Sequence, residues 1–177
     1  IGRDEWYYRV DIGGWTFLVL NGNDLSYYAQ QTREQRRERN RMVADLWGSF
    51  RFSGMPWNGG IGSVQMQWLD TELQRAEKAG RNVVVMCHFP LFAPGNHTLF
   101  NNREVFSLIS RYRSVKAYFC GHYHAGNYEE RDGIHLVNFR GMVDTPYNAY
   151  ALVTLTTDTI VIKGYGREPG RWLKLRK

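Results

Sequence analysis

The segment Asn82-Val83-Val84-Val85-Met86-Cys87 is a continuous, largely β-branched apolar run. A strand of this kind is expected to be covered on both faces, as strands are in sheets layered with helices. The flanking sequence supplies the cover. Ser63 to about Ala79 carries Met66, Leu69, Leu73 and Ala76 at three- and four-residue spacing, with Ser63 placed to cap a helix and Gly80 to stop it. A second helix is predicted from about Asn102 to Tyr112, with Val105, Leu108, Ile109 and Tyr112 on one face. Val115 to Cys120 is a second buried run. The order strand, loop, helix, strand predicts a parallel crossover, which sets His88 and His122 at the same edge of one sheet.

The rest of the chain is read around this unit. Trp6 to Ile12 and Trp15 to Leu20 are β-prone runs joined by Gly13-Gly14, the signature of a hairpin. Tyr27 to Trp47 contains neither Pro nor Gly and is rich in Gln, Arg and Glu, which predicts a long, solvated helix. Gly48 to Gly62 has loop composition. After Gly126 the pattern changes to short strands, Ile134 to Phe139, Ala149 to Thr156 and Thr159 to Gly164, with Thr157-Asp158 as a turn. A chain of 177 residues organised this way suits one α/β core of mixed layers. Its formal net charge of +6 favours anionic partners. No apolar run reaches the roughly 18 residues of a membrane span. Cys87 and Cys120 are isolated thiols at strand ends, a usage that fits a reducing compartment, so a cytoplasmic location is expected and a disulfide is not.

The chemistry concentrates in histidine. Of the five, His88 stands in Cys87-His88-Phe89-Pro90, and His122 and His124 stand in Cys120-Gly121-His122-Tyr123-His124. If that chain is extended, residues i and i+2 project to one side, and the two imidazoles can grip one ion or two adjacent ions. His97 is read as a loop residue and His135 as a strand residue, both outside the site. Asn58-Gly59-Gly60-Ile61-Gly62-Ser63 is either a phosphate cradle ahead of a helix or plain helix entry, and Asn58, Gly59 and Gly60 are the candidate substrate contacts. Arg33, Arg36, Arg37, Arg39 and Arg41 interleave with Glu34 and Glu38, which fits a solvated helix face, so no nucleic-acid partner is expected.

Gly121-His122-Tyr123-His124 resembles the terminal Gly-His-x-His block of the calcineurin-like metallophosphoesterases, and Met86-Cys87-His88 resembles the single-histidine block before it. Asn58 to Ser63, Trp68-Leu69, Gly121 to Tyr128 and Ile162 to Arg167 narrow the likeness to the manganese-dependent ADP-ribose/CDP-alcohol diphosphatases. The resemblance implies a two-sheet β-sandwich flanked by helices, of which this chain supplies the C-terminal half. It also implies that His88 and His122 bind one metal of a two-metal site and His124 the other, with manganese foremost and iron or zinc as alternatives. The expected substrate is a small phosphorylated nucleotide, hydrolysed at a phosphoester or pyrophosphate bond as in ADP-ribose or a CDP-alcohol. A general calcineurin-like phosphatase, a cyclic nucleotide phosphodiesterase and a metal-free binding module are the alternatives.

The family's three carboxylate-bearing blocks, Asp-x-His, Gly-Asp-x-x-Asp and Gly-Asn-His-Asp/Glu, do not occur upstream of His88. Gly22-Asn23-Asp24 lacks the histidine, and Gly95-Asn96-His97-Thr98 lacks the final acid and follows His88. The missing ligands are therefore expected from an N-terminal remainder of the same protein, with Asp11, Asp24 and Asp144 the acids to examine if they lie within this chain.

Overall fold

The computed structural model describes residues 6–29, 32–49, 51 and 53–176. In chain order its elements are β1 (Tyr8–Ile12), β2 (Trp15–Val19), α1 (Arg33–Gly48), α2 (Ser63–Lys78), β3 (Asn82–Met86), α3 (Asn102–Ser110), β4 (Val115–Cys120), β5 (Asn127–Arg131), β6 (Ile134–Asn138), β7 (Ala149–Leu155), β8 (Thr159–Gly166) and β9 (Arg171–Lys174). The first sheet runs β1-β2-β3-β4-β6-β5 and the second β7-β8-β9. Within the first, β2, β3, β4 and β6 are parallel neighbours, while β1 and β5 close the edges as antiparallel hairpin arms.

The valine run shows why these layers form. Val83 and Val85 pack with Leu69 and Leu73 of α2 and Val105 and Ile109 of α3, whereas Val84 faces the other way, with Ala117 and Phe119, against Ile160, Ile162 and Leu173 of the second sheet. All three valines are fully buried. The strand is thus covered on both faces, by helices on one side and by a second sheet on the other, which is the expected α/β sandwich. Cover on the sheet side is uneven. Next to β7 a trough of about 350 Å³ stays open, lined by Phe17, Met86, Phe119, Phe139, Tyr150 and Val153. No helix of the described residues is long and apolar enough to cross a membrane.

Several boundaries differ from the sequence reading. Helix α1 begins at Arg33 rather than Tyr27, because Thr32 and Gln35 form a reciprocal capping box. Tyr27 instead sets its ring edge-on to Phe100, under the Arg39 guanidinium, and residues 30 and 31 of the expected helix lie outside the described residues. Helix α2 is capped by Gly62, not Ser63, with carboxylates brought from elsewhere: Asp24 Oδ2 accepts from the Gly62 N–H at 2.8 Å and Glu38 Oε1 from the Ser63 N–H at 2.7 Å. Strands β5 and β9 were not expected. β5 turns into β6 across Asp132-Gly133, both at positive φ, the Asp-Gly signature of a two-residue hairpin.

Gly59 fixes how closely the loop ahead of α2 meets the end of β2. A Cβ there would lie 2.1 Å from the Gly22 carbonyl oxygen and 2.9 Å from the Phe89 ring. Backbone cannot yield as a flexible side chain does, so Gly59→Ala is expected to lower stability by about 1–3 kcal/mol, read as a lower denaturant midpoint at unchanged slope.

Candidate metal centre

The parallel ladder between β3 and β4 continues past both strands. The Cys87 N–H donates to the Phe119 carbonyl at 3.0 Å, and the Gly121 N–H to the His88 carbonyl at 2.9 Å. Two residues beyond each strand this pairing brings two imidazoles together, with His122 Nδ1 3.2 Å from His88 Nε2. The rings meet at 69°, and Phe89 packs edge-on to both.

His122 does not sit on an extended chain. Its φ is +67°, and the Tyr123 N–H reaches back to the Gly121 carbonyl at 2.8 Å, closing a three-residue turn of the rarer, strained hand. The expectation that His122 and His124 project together as i and i+2 on a strand is therefore corrected. The turn aims His122 at His88, and His124 is held separately, its Nδ1 2.9 Å from Asp144 Oδ2 and its ring against Gly141. His124 still shares the site: with His122, His97, Trp57 and Tyr123 it lines an open pocket of about 370 Å³.

His97 belongs to this pocket, contrary to the reading that left it outside. Its ring centre lies 5.6 Å from that of His122 and 5.8 Å from Tyr123. The loop is folded back by the Leu99 N–H bond to the Pro90 carbonyl, a closure with no mark in the local sequence. His135 lies elsewhere as expected, bonded to the Lys174 carbonyl and the Tyr128 hydroxyl. Asn58 is fully buried, with its Oδ1 3.0 Å from His122 Nε2. Of the donors in the phosphate-cradle alternative, the N–H groups of Ile61, Gly62 and Ser63 go to Asn101, Asp24 and Glu38. Gly59 and Gly60 are buried and give their carbonyls to Phe100 and Leu25.

Burial keeps His88 and His122 neutral. Burial, then the charges that His88, His97 and His124 would carry, push the His122 pKa down to about 4. Burial and His124 lower that of His88. Neutral imidazole is the form that binds a metal ion. Two metal–nitrogen bonds of about 2.0–2.1 Å meeting near 100° separate their nitrogens by about 3.1 Å, so the His88–His122 spacing fits two ligands of one ion. The set is partial, for among the described residues no group of three or more His, Cys, Asp or Glu side chains is arranged to hold a metal. Asp11 pairs with Arg9 and Asp24 caps α2, which leaves Asp144 as the acid that meets a site histidine. Cys87 and Cys120 are free, buried thiols whose pKa values burial raises, unsuited to act as nucleophiles.

A mixed sheet covered by helices on one face and by a second, smaller sheet on the other is the fold of a solved dimetal phosphatase. The solved dimetal phosphatase from Danio rerio superposes with a TM-score of 0.87 at 23% identity, over 98% of this chain and 62% of that one. By sequence the chain is a relative of the manganese-dependent ADP-ribose/CDP-alcohol diphosphatases. The Bos taurus protein is 30% identical over 187 residues, 97% of this chain and 56% of its own length, and the Xenopus laevis protein is 32% identical over 193 residues, 98% of this chain and 54% of its own. The chain thus spans a little over half the length of these curated relatives. No family model matches it.

The left-handed backbone at His122 gives a test separate from its ring. His122→Gly and His122→Ala both delete the imidazole, but alanine keeps the steric cost of positive φ. The glycine variant is expected to be the more stable by about 1 kcal/mol, measured from paired urea unfolding curves.

Proposed function

We propose that this chain supplies imidazole ligands to a two-metal phosphohydrolase that cleaves pyrophosphate or phosphoester bonds in nucleoside diphosphate-linked small molecules, ADP-ribose or a CDP-alcohol foremost. The observation that carries the reading is the His88–His122 pair, two neutral imidazoles with ring nitrogens 3.2 Å apart at the ends of adjacent parallel strands. The diphosphatase names of the relatives support the substrate class and favour manganese, with iron or zinc as alternatives. In this reading His88 and His122 hold one ion. His124 holds the second through Nε2, since Asp144 engages its Nδ1. Bound divalent ions supply the charge that polarises phosphoryl oxygens and acidifies water. The chain's own residues orient the reactants: the exposed faces of Trp57 and Tyr123 border the histidines and offer a flat surface to a nucleobase.

Neutral imidazoles alone do not offset the repulsion of two divalent cations. We therefore also propose that bridging carboxylates come from a further segment of the same polypeptide, in keeping with the greater length of the relatives. With Mn²⁺, the complete gene product is expected to release AMP from ADP-ribose, or CMP from a CDP-alcohol, faster than it hydrolyses p-nitrophenyl phosphate. His122→Ala is expected to cost more than about 100-fold in turnover, beyond the loss typical of an outer partner. Equal turnover of the monoester would move the assignment to a general phosphatase. Equal turnover by the 177 residues alone would end the proposal of an added carboxylate segment.

A further inference from the structure

We infer that Asn58 is the positioning residue that decides which nitrogen of His122 carries the proton, holding the ring as its Nε2–H tautomer with the Nδ1 lone pair turned toward His88. The proposal rests on the metal-binding reading of the pair only for its consequence, not for its geometry. Asn58 is fully buried, and its amide Nδ2 donates to two backbone carbonyls, Ser53 at 2.8 Å and Asn96 at 2.5 Å. Carbonyl oxygens only accept, so the side-chain nitrogen must lie on that side and Oδ1 must be the atom 3.0 Å from His122 Nε2. An amide oxygen only accepts as well, which places the hydrogen on Nε2. The neutral ring then has its bare nitrogen at Nδ1, the atom 3.2 Å from His88 Nε2.

The residue type follows from the site. Aspartate would set a second oxygen against two carbonyls, and leucine would leave both carbonyls and Nε2–H unpaired in a buried place. Among side chains of this size only the planar amide offers two donors on one side and one acceptor on the other. One group thereby ties the Ser53 and Asn96 loops to His122, and ligand orientation at the β4 end becomes a property of the folded protein before any ion arrives. His88 is left with the adjustable proton. In the ion-free protein its Nε2–H donates to His122, and binding an ion at that nitrogen requires the proton to move to Nδ1.

The experiment is long-range ¹H–¹⁵N NMR of the histidine rings of the ion-free chain at neutral pH. His122 is expected to show a protonated Nε2 and a bare Nδ1, with the Nε2 proton exchanging slowly with water. A proton residing mainly on Nδ1 overturns the proposal, and so does fast solvent exchange at Nε2. This measurement on the unaltered chain stands even if Asn58→Ala fails to fold. Where the variant folds, His122 is expected to populate both tautomers, and an unchanged tautomer ratio overturns the proposal. With Mn²⁺ alone as probe, followed by electron paramagnetic resonance of the complete gene product, Asn58→Ala is expected to weaken binding about 10- to 100-fold. Unchanged affinity alongside a changed tautomer ratio overturns the link to metal binding. Expected tautomers with no Mn²⁺ uptake by the unaltered gene product overturn the metal reading itself and leave the hold of Asn58 on His122 standing.

Discussion

The pairing of β3 with β4 is the constraint on which the rest depends. These strands are buried along their lengths except at Met86 and at the Asn82 end, and their parallel register delivers Met86 beside Phe119. The ladder then runs on through Cys87 and His88 after regular strand structure has ended. Because a close-packed interior resists small shifts, the ring nitrogens at the end of this ladder inherit the precision of the core. The loops carrying Trp57 and His97 complete the pocket, and the loop carrying Asp144 holds His124 at its edge.

Around this pair the protein gathers groups that reinforce neutrality. His88 and His122 are part-buried with no carboxylate between them, and burial together with the neighbouring imidazoles disfavours charge on both. The carboxylates of Asp24 and Glu38, which would reverse that effect nearby, are committed to the first turn of α2, where the helix dipole favours them. Two acids thus build the scaffold, and Asp144, bonded to His124, is the one that meets a site histidine.

The sequence made some of this plain and hid the rest for identifiable reasons. The valine run, the two amphipathic helices and the Gly13-Gly14 turn are local signals, and they placed His88 and His122 at one sheet edge. The start of α1 was missed because the absence of breakers outweighed the Thr32-to-Gln35 cap, which sets where the helix begins. β5 was missed because its mostly polar, exposed residues carry little hydrophobic period, although Asp132-Gly133 marked the turn. At the site, His97 and Asn58 depend on loops that meet only after folding: Asn58 touches a histidine 64 positions away. The turn at His122 could not be read from spacing either, since period-two reasoning presumes an extended chain and the positive φ falls on His122 itself, a residue type that does not announce it.

The uneven cover of the first sheet divides the molecule by how readily it opens. On the helix side Leu69 and Leu73 of α2 and Val105 and Ile109 of α3 are completely buried against the sheet, whereas Ala151, Val153 and Leu155 of β7 are only partly buried above the trough. Amide hydrogens in β3 and β4 should therefore exchange through global unfolding, while those of β7 exchange through local detachment of a strand. Of these strands β7 has the least to hold it, and the histidine-bearing ends of β3 and β4 are anchored where burial is nearly complete.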